Sequence, residues 1–123
     1  MGGATGISLV FYQNMKGYFN MKVFISQPMR GKSDEYVIET RNRAIEKIKK
    51  IYGESVEIID SFFKGYPASE SKNPGVFYLS KSIACLAEAD VAYFCKDWTR
   101  TRGCRLEYDI ARAYGIKIDG EEI

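Results

Sequence analysis

The chain has 123 residues, enough for one domain with its own core, and is 46% hydrophobic and 28% charged. Its net charge of +2 is too small to argue by itself for nucleic acid, and no apolar run approaches the length of a membrane span. It holds no histidine, which removes the commonest general base and metal ligand; acid–base or nucleophilic chemistry is left to Asp, Glu, Tyr, Lys, Ser or Cys, and zinc is not expected.

Residues 1–20 read as an N-terminal arm or a non-native extension. They carry one short apolar run, Ile7 to Tyr12, which would make an extra edge strand, and they lack the basic start and cleavage site of a secretory signal. The domain proper is expected over 21–123. MKVFIS (21–26) has the apolar, β-branched and aromatic make-up of a strand, and QPMRGK (27–32) is a loop. Ser33 or Asp34 can cap a helix running to about Tyr52, with apolar residues at 37, 38, 44, 45, 48 and 51 and Gly53 beyond its end. VEIIDSFF (56–63) predicts a second strand, and KGYPASESKNPG (64–75) a polar loop. Asn73-Pro74 predicts the cap and first turn of a helix over about 75–88. DVAYFC (90–95) is a third strand, KDWTRTRG a loop, 103–114 a third helix and IKID (116–119) a last strand. Cys85, Cys95 and Cys104 are odd in number and lack Cys-x-x-Cys spacing, which fits reduced thiols in a cytoplasmic protein.

Strands separated by helices imply an α/β fold, a flavodoxin-like or Rossmann-like parallel sheet with helices on both faces and strand order 2-1-3-4. Ligands of such sheets bind beyond the carboxyl ends of the strands, where strand order reverses. That singles out the loops 27–32, 60–66 and 96–102. The first carries Arg30, Gly31 and Lys32 ahead of a helix N-terminus, which makes either an anion site or a solvated turn whose cations pair with Asp34 and Glu35. Asp60 and Asp97 end the second and third strands, as pocket carboxylates or as loop caps. Phe62, Phe63, Tyr66 and Trp98 flank the same mouth, where an aromatic ring can stack a base or cover the core. In WTRTRGCRLEYDIARAYG (98–115), Arg100, Arg102 and Arg105 crowd around Glu107, which is read in the first turn of its helix. Cations and a helix N-terminus favour the ionised form, so its pKa is expected below the usual carboxylate value.

Taken together, ISQPMRGK, SIACLAEADVAYF and TRGCRLEYDIARAYG resemble the nucleoside 2-deoxyribosyltransferase superfamily, including its branch of 2'-deoxynucleoside 5'-monophosphate N-glycosidases. The resemblance spans roughly residues 21–118. It implies an N-glycosidase or deoxyribosyltransferase in which Glu107 is the nucleophile and forms a glycosyl-enzyme intermediate. It further implies substrate contacts from Gln27, Met29, Arg30, Gly31, Ser82, Trp98, Thr101, Arg102 and Gly103. Thr101 stands where relatives acting on nucleosides carry aspartate and the monophosphate glycosidases carry serine, which points to a phosphorylated ligand. Ser82 stands where the family often has an aspartate that orients the substrate or helps protonate the leaving base, which implies that Asp60 or Asp97 takes that role, that the substrate differs, or that catalysis is weak. The implied partners are a nucleotide-like small molecule and a second copy of the chain, in a homodimer or larger, with no cofactor, metal, nucleic acid or membrane. A non-catalytic nucleotide-binding module is the alternative.

Overall fold

The computed structural model describes residues 21–61 and 70–123. The expected strand at 7–12 and the aromatic residues Phe62, Phe63 and Tyr66 lie outside them. Strand β1, Lys22–Ser26, is buried from Val23 onward. Helix α1, Asp34–Tyr52, starts at Ser33, whose hydroxyl accepts from the Tyr36 amide at 3.1 Å. Asp34 and Glu35 in its first turn and Lys49 and Lys50 in its last oppose the helix dipole in the favourable sense. Strand β2 is short, Glu57–Ile58. Helix α2, Pro74–Leu86, has proline in its first turn, where no amide is needed, and its cap Asn73 accepts from the Val76 amide at 3.0 Å. Strand β3, Val91–Phe94, is wholly buried. A single 3-10 turn over Trp98–Arg100 leads into helix α3, Arg102–Ala113, and strand β4, Lys117–Gly120, closes the sheet.

All pairings are parallel and the order is β2-β1-β3-β4, as the alternation of strands and helices predicts. The chain steps from β1 to one side and then crosses to the other, so strand order reverses between β1 and β3. The alternation of side chains sorts the core into two layers. Val23, Ile25, Val91, Tyr93 and Cys95 pack with Ala44 and Ile48 of α1. Phe24, Ala92 and Phe94 face the other way, onto Leu86 of α2 and Cys104 and Ala111 of α3. Helices therefore cover both faces.

Strand β2 is shorter than the 56–63 read from its apolar run. The Ile59 amide still donates to the Val23 carbonyl at 2.9 Å, but the Ile59 carbonyl accepts from the Arg41 guanidinium at 2.8 Å. A side chain of α1 takes over where the ladder would continue.

Candidate active site

Counting along β1 places Ser26 on the same face as Phe24, toward α2 and α3. It is 1% exposed and ends the strand at the point where strand order reverses. Helix α3 turns Cys104, Glu107 and Ala111 inward, an i, i+3, i+7 stripe. The two elements meet there: Ser26 Oγ donates to Glu107 Oε1 at 2.6 Å. Ser82 of α2 hydrogen-bonds the same carboxyl group, so three elements converge on it.

Glu107 is 8% exposed, and burial pushes its pKa up; the hydrogen bonds from Ser26 and Ser82 oppose that shift only in part. This overturns the expected depression. Helix α3 begins at Arg102 and has no acid in its first turn, so Glu107 sits in the second turn, away from the N-terminal amides. The same helix phase sends Arg102 and Arg105 outward. The Arg105 guanidinium donates to the Thr99 carbonyl at 2.9 Å, and Arg100 lies 4.0 Å from the Asp97 carboxylate. None of the three arginines acts on the Glu107 charge.

The raised pKa carries a stability consequence. Glu107 holds its proton more tightly in the folded chain than in the unfolded one. Its contribution is fully present below the ordinary carboxylate pKa and is lost as pH rises through the raised folded value. Glu107→Gln, neutral and of the same shape, is therefore expected to melt above the wild type at neutral pH, with the gap closing in acid. Thermal unfolding across pH measures this. A variant that melts lower at neutral pH would mean that the two hydroxyl bonds outweigh burial.

Other expected residues divide into two groups. Gln27 continues the β1 alternation onto the α1 side. It is 6% exposed, donates through Nε2 to the Val37 carbonyl at 3.1 Å, and leaves Oε1 with no partner among the described residues. Met29 is half-buried, while Arg30 and Gly31 are exposed. They form a tight turn in which the Lys32 amide donates to the Met29 carbonyl at 3.0 Å and Gly31 takes φ +78°. Thr101 is half-buried at the start of α3, and its hydroxyl does not cap the helix. A side chain added at Gly103 would meet nothing within 4 Å, so the approach to the first amides of α3 is open.

Asp97, Trp98 and Arg102 belong elsewhere. Asp97 adopts φ +67°, its amide donates to Glu122 at 2.7 Å, and its carboxylate stands beside Arg100. Trp98 is no open stacking platform. It is buried, it stacks on Tyr108 with ring centres 4.5 Å apart, and its Nε1 donates to the Glu121 carbonyl at 3.1 Å. Arg102 lines a shallow surface cavity of about 360 Å³ with Trp98, Arg105, Leu106 and Asp109, on the side of α3 away from Glu107.

Asp60 is exposed just beyond β2, beside side chains that the sequence did not single out. Arg41 sits on the inward stripe of α1, four residues after Val37 and three before Ala44. Its guanidinium donates to the Ile59 carbonyl at 2.8 Å and to Ser61 Oγ at 3.4 Å. It thereby straddles Asp60. Burial lowers the pKa of Arg41, and the Asp60 charge is the foremost influence opposing that. Cys85, one turn beyond Ser82 on α2, directs its Sγ to the Asp60 carbonyl at 3.7 Å and feels the charges of Asp60, Arg41 and Glu107. Burial pushes the thiols of Cys85 and Cys104 up, that of Cys104 to about 12, so neither is a ready nucleophile. A cation inside an apolar stripe (37, 41, 44, 48) and a serine ending a buried strand were the available signals.

Among the described residues no helix is long and apolar enough to cross a membrane. Likewise, among these residues no group of three or more Cys, Asp or Glu side chains is placed to hold a metal ion. The family described as Domain of unknown function (DUF4406) matches residues 21–119, and the chain belongs to that family. No curated protein matches the chain, and no solved structure does.

Proposed function

We propose that this member of the DUF4406 family cleaves or transfers the N-glycosidic bond of a nucleotide-like substrate, with Glu107 as the attacking carboxylate. The observation that carries the reading is the buried Ser26–Glu107 contact at 2.6 Å, at the reversal of strand order where open parallel sheets bind ligands. The resemblance of 21–118 to the nucleoside 2-deoxyribosyltransferase superfamily supplies the reaction class.

The chain's own groups suit the step. A carboxylate has about four lone-pair sites, so the bonds from Ser26 and Ser82 fix its orientation and still leave a lone pair for a carbon electrophile. Glu107 attacks the anomeric carbon as the bond to the base breaks. The electron pair of that bond leaves with the base, which takes a proton from water. In hydrolysis a water oxygen then attacks the same carbon, Glu107 departs as carboxylate, and the water proton passes to solvent; in transfer a second base replaces the water. Only ionised Glu107 attacks. With its pKa raised by burial, the rate rises with pH through a midpoint above that of an ordinary carboxylate.

The Thr101 hydroxyl and the open first-turn amides of α3 are donors for a 5'-phosphate, and a carboxylate at 101 would repel one. A charge-assisted hydrogen bond contributes roughly 1.5–3 kcal/mol, so kcat/KM is expected to favour a 5'-monophosphate over its nucleoside by about one to two decades per contact. The test is a panel of nucleoside and deoxynucleoside monophosphates, with and without the phosphate, read out as free base. Release from none of them ends the reading. Equal rates with and without phosphate end only the phosphate part.

A further inference from the structure

The step written above uses the Ser26 hydroxyl and leaves Cys104 idle, yet that thiol is built into the same contact. Cys104 and Glu107 stand three apart on α3, both turned inward and both buried. Ser26, buried at the end of β1, hydrogen-bonds the two of them: the Glu107 carboxyl at 2.6 Å and the Cys104 thiol one turn away. A serine hydroxyl has one proton and two lone pairs. At 2.6 Å that proton is committed to Glu107, a length typical of a hydroxyl donating to a carboxylate. Ser26 therefore meets Cys104 with a lone pair. Burial pushes the Cys104 thiol up to about 12, so at neutral pH it keeps its proton and has it to give. The bonds run one way, from Cys104 Sγ–H to Ser26 Oγ and from the Ser26 O–H to Glu107 Oε1.

We propose that Cys104 is a positioning residue: its thiol holds the Ser26 hydroxyl turned toward Glu107 and strengthens the bond that orients the attacking carboxylate. Its bearing on rate rests on the N-glycosidic reading above; the chain of hydrogen bonds does not. A donor behind a donor polarises the bond ahead of it, by roughly a tenth to three-tenths per bond. The other groups around Glu107 act separately. From α2, Ser82 hydrogen-bonds the carboxyl directly, and the Cys85 thiol, pushed up by burial, feels its charge. Cys95, at the end of β3, and Arg105 act on Cys104, whereas the Glu107 shift answers to burial, Ser26 and Ser82. When Glu107 takes up a proton, its bond from Ser26 loses the charge that strengthens it, and the pull on the thiol slackens. The S–H bond of Cys104 thus reports the charge of Glu107, two links away.

Infrared spectroscopy of the S–H stretch across pH tests this without any substrate. The band lost in Cys104→Ala belongs to Cys104. In the wild type it is expected to move to higher frequency at the pH where the carboxyl band of protonated Glu107 appears, and to stay still in Glu107→Gln and Ser26→Ala. The bond from Ser26 is charge-assisted, so Ser26→Ala should raise the Glu107 midpoint by roughly 1–2 pH units. Cys104→Ala should raise it by about 0.1–0.6 pH units, the share that a second bond lends the first. Cys104→Ser, a stronger donor, should return it to the wild-type value or below. Because Cys104 acts through Ser26, the double variant Ser26→Ala/Cys104→Ala should shift no further than Ser26→Ala alone. A Cys104 band that ignores pH in the wild type overturns the proposal, and so does a Cys104→Ala shift that adds in full to that of Ser26→Ala. Thermal unfolding checks that each variant folds; should Ser26→Ala fail, the wild-type and Glu107→Gln bands and the recovery in Cys104→Ser decide. The pH profile of base release should share these midpoints. Base release from no nucleotide, with the band moving as expected, ends the N-glycosidic reading and leaves the role of Cys104 standing.

Discussion

Glu107→Gln is expected to lower base release by at least about a thousandfold, the scale on which enzymes lose rate when an attacking group is removed. Ligand affinity should stay near the wild-type value. Glutamine keeps the length and branching of the side chain, and its carbonyl can still accept from Ser26. What it lacks is the ionised oxygen that bonds to the anomeric carbon, and the described side chains around it do not replace it. The nearby thiols of Cys85 and Cys104 are held protonated by burial, and Ser26 and Ser82 are spent on Glu107. Single-turnover base release, together with calorimetric binding of the same nucleotide, measures the two halves separately. A variant releasing base at near the wild-type rate removes Glu107 from the mechanism. Wild type that binds nucleotides and releases no base from any of them would instead identify a non-catalytic binding module.

The architecture was legible because it depends on periodicity, which the chain displays plainly. The apolar runs give the strands, and their alternation with helices gives the parallel order and the two covered faces. The caps Ser33 and Asn73 fixed helix starts to within a residue. The electrostatics of the site was not legible, and the cause is angular. Each residue turns a helix by about 100°. Starting α3 at Arg102 leaves Glu107 among the buried positions and swings Arg102 and Arg105 to the outside. Nearness in sequence made arginines and glutamate look like neighbours; helix phase separates them, and burial then decides the direction of the pKa shift. Arg41 went unnoticed for the converse reason. It is 19 residues from Asp60 in sequence and is brought to it only because α1 packs against the edge where β2 ends.

Gly120 was equally silent in the sequence, and its replacement should have the largest effect on stability. It pairs with Phe94 in the last rung of the sheet, takes φ +130°, and precedes Glu121, whose amide donates to the Phe94 carbonyl at 2.8 Å. A Cβ at this position would run into the Phe94 carbonyl oxygen and lie 2.5 Å from the Phe94 nitrogen. Both are backbone atoms of the buried strand β3, so no rotamer change relieves the clash. The backbone conformation costs any other residue about 1–3 kcal/mol, and overpacking against a fixed neighbour about 1–3 kcal/mol more. Gly120→Ala is therefore expected to lose roughly 3 kcal/mol or more, which in a domain of this size lowers Tm by more than about 10 °C. Function should suffer with it, since Glu121 and Glu122 receive the Trp98 indole and the Asp97 amide from the loop that leads into α3. Gly103→Ala is the contrast. Gly103 lies inside α3 with open space around it, so the change should be neutral or stabilise by up to about 1 kcal/mol. Thermal unfolding of the two variants side by side decides the matter: equal Tm values would show that β4 shifts to accommodate a side chain and that Gly120 does not fix its register against β3.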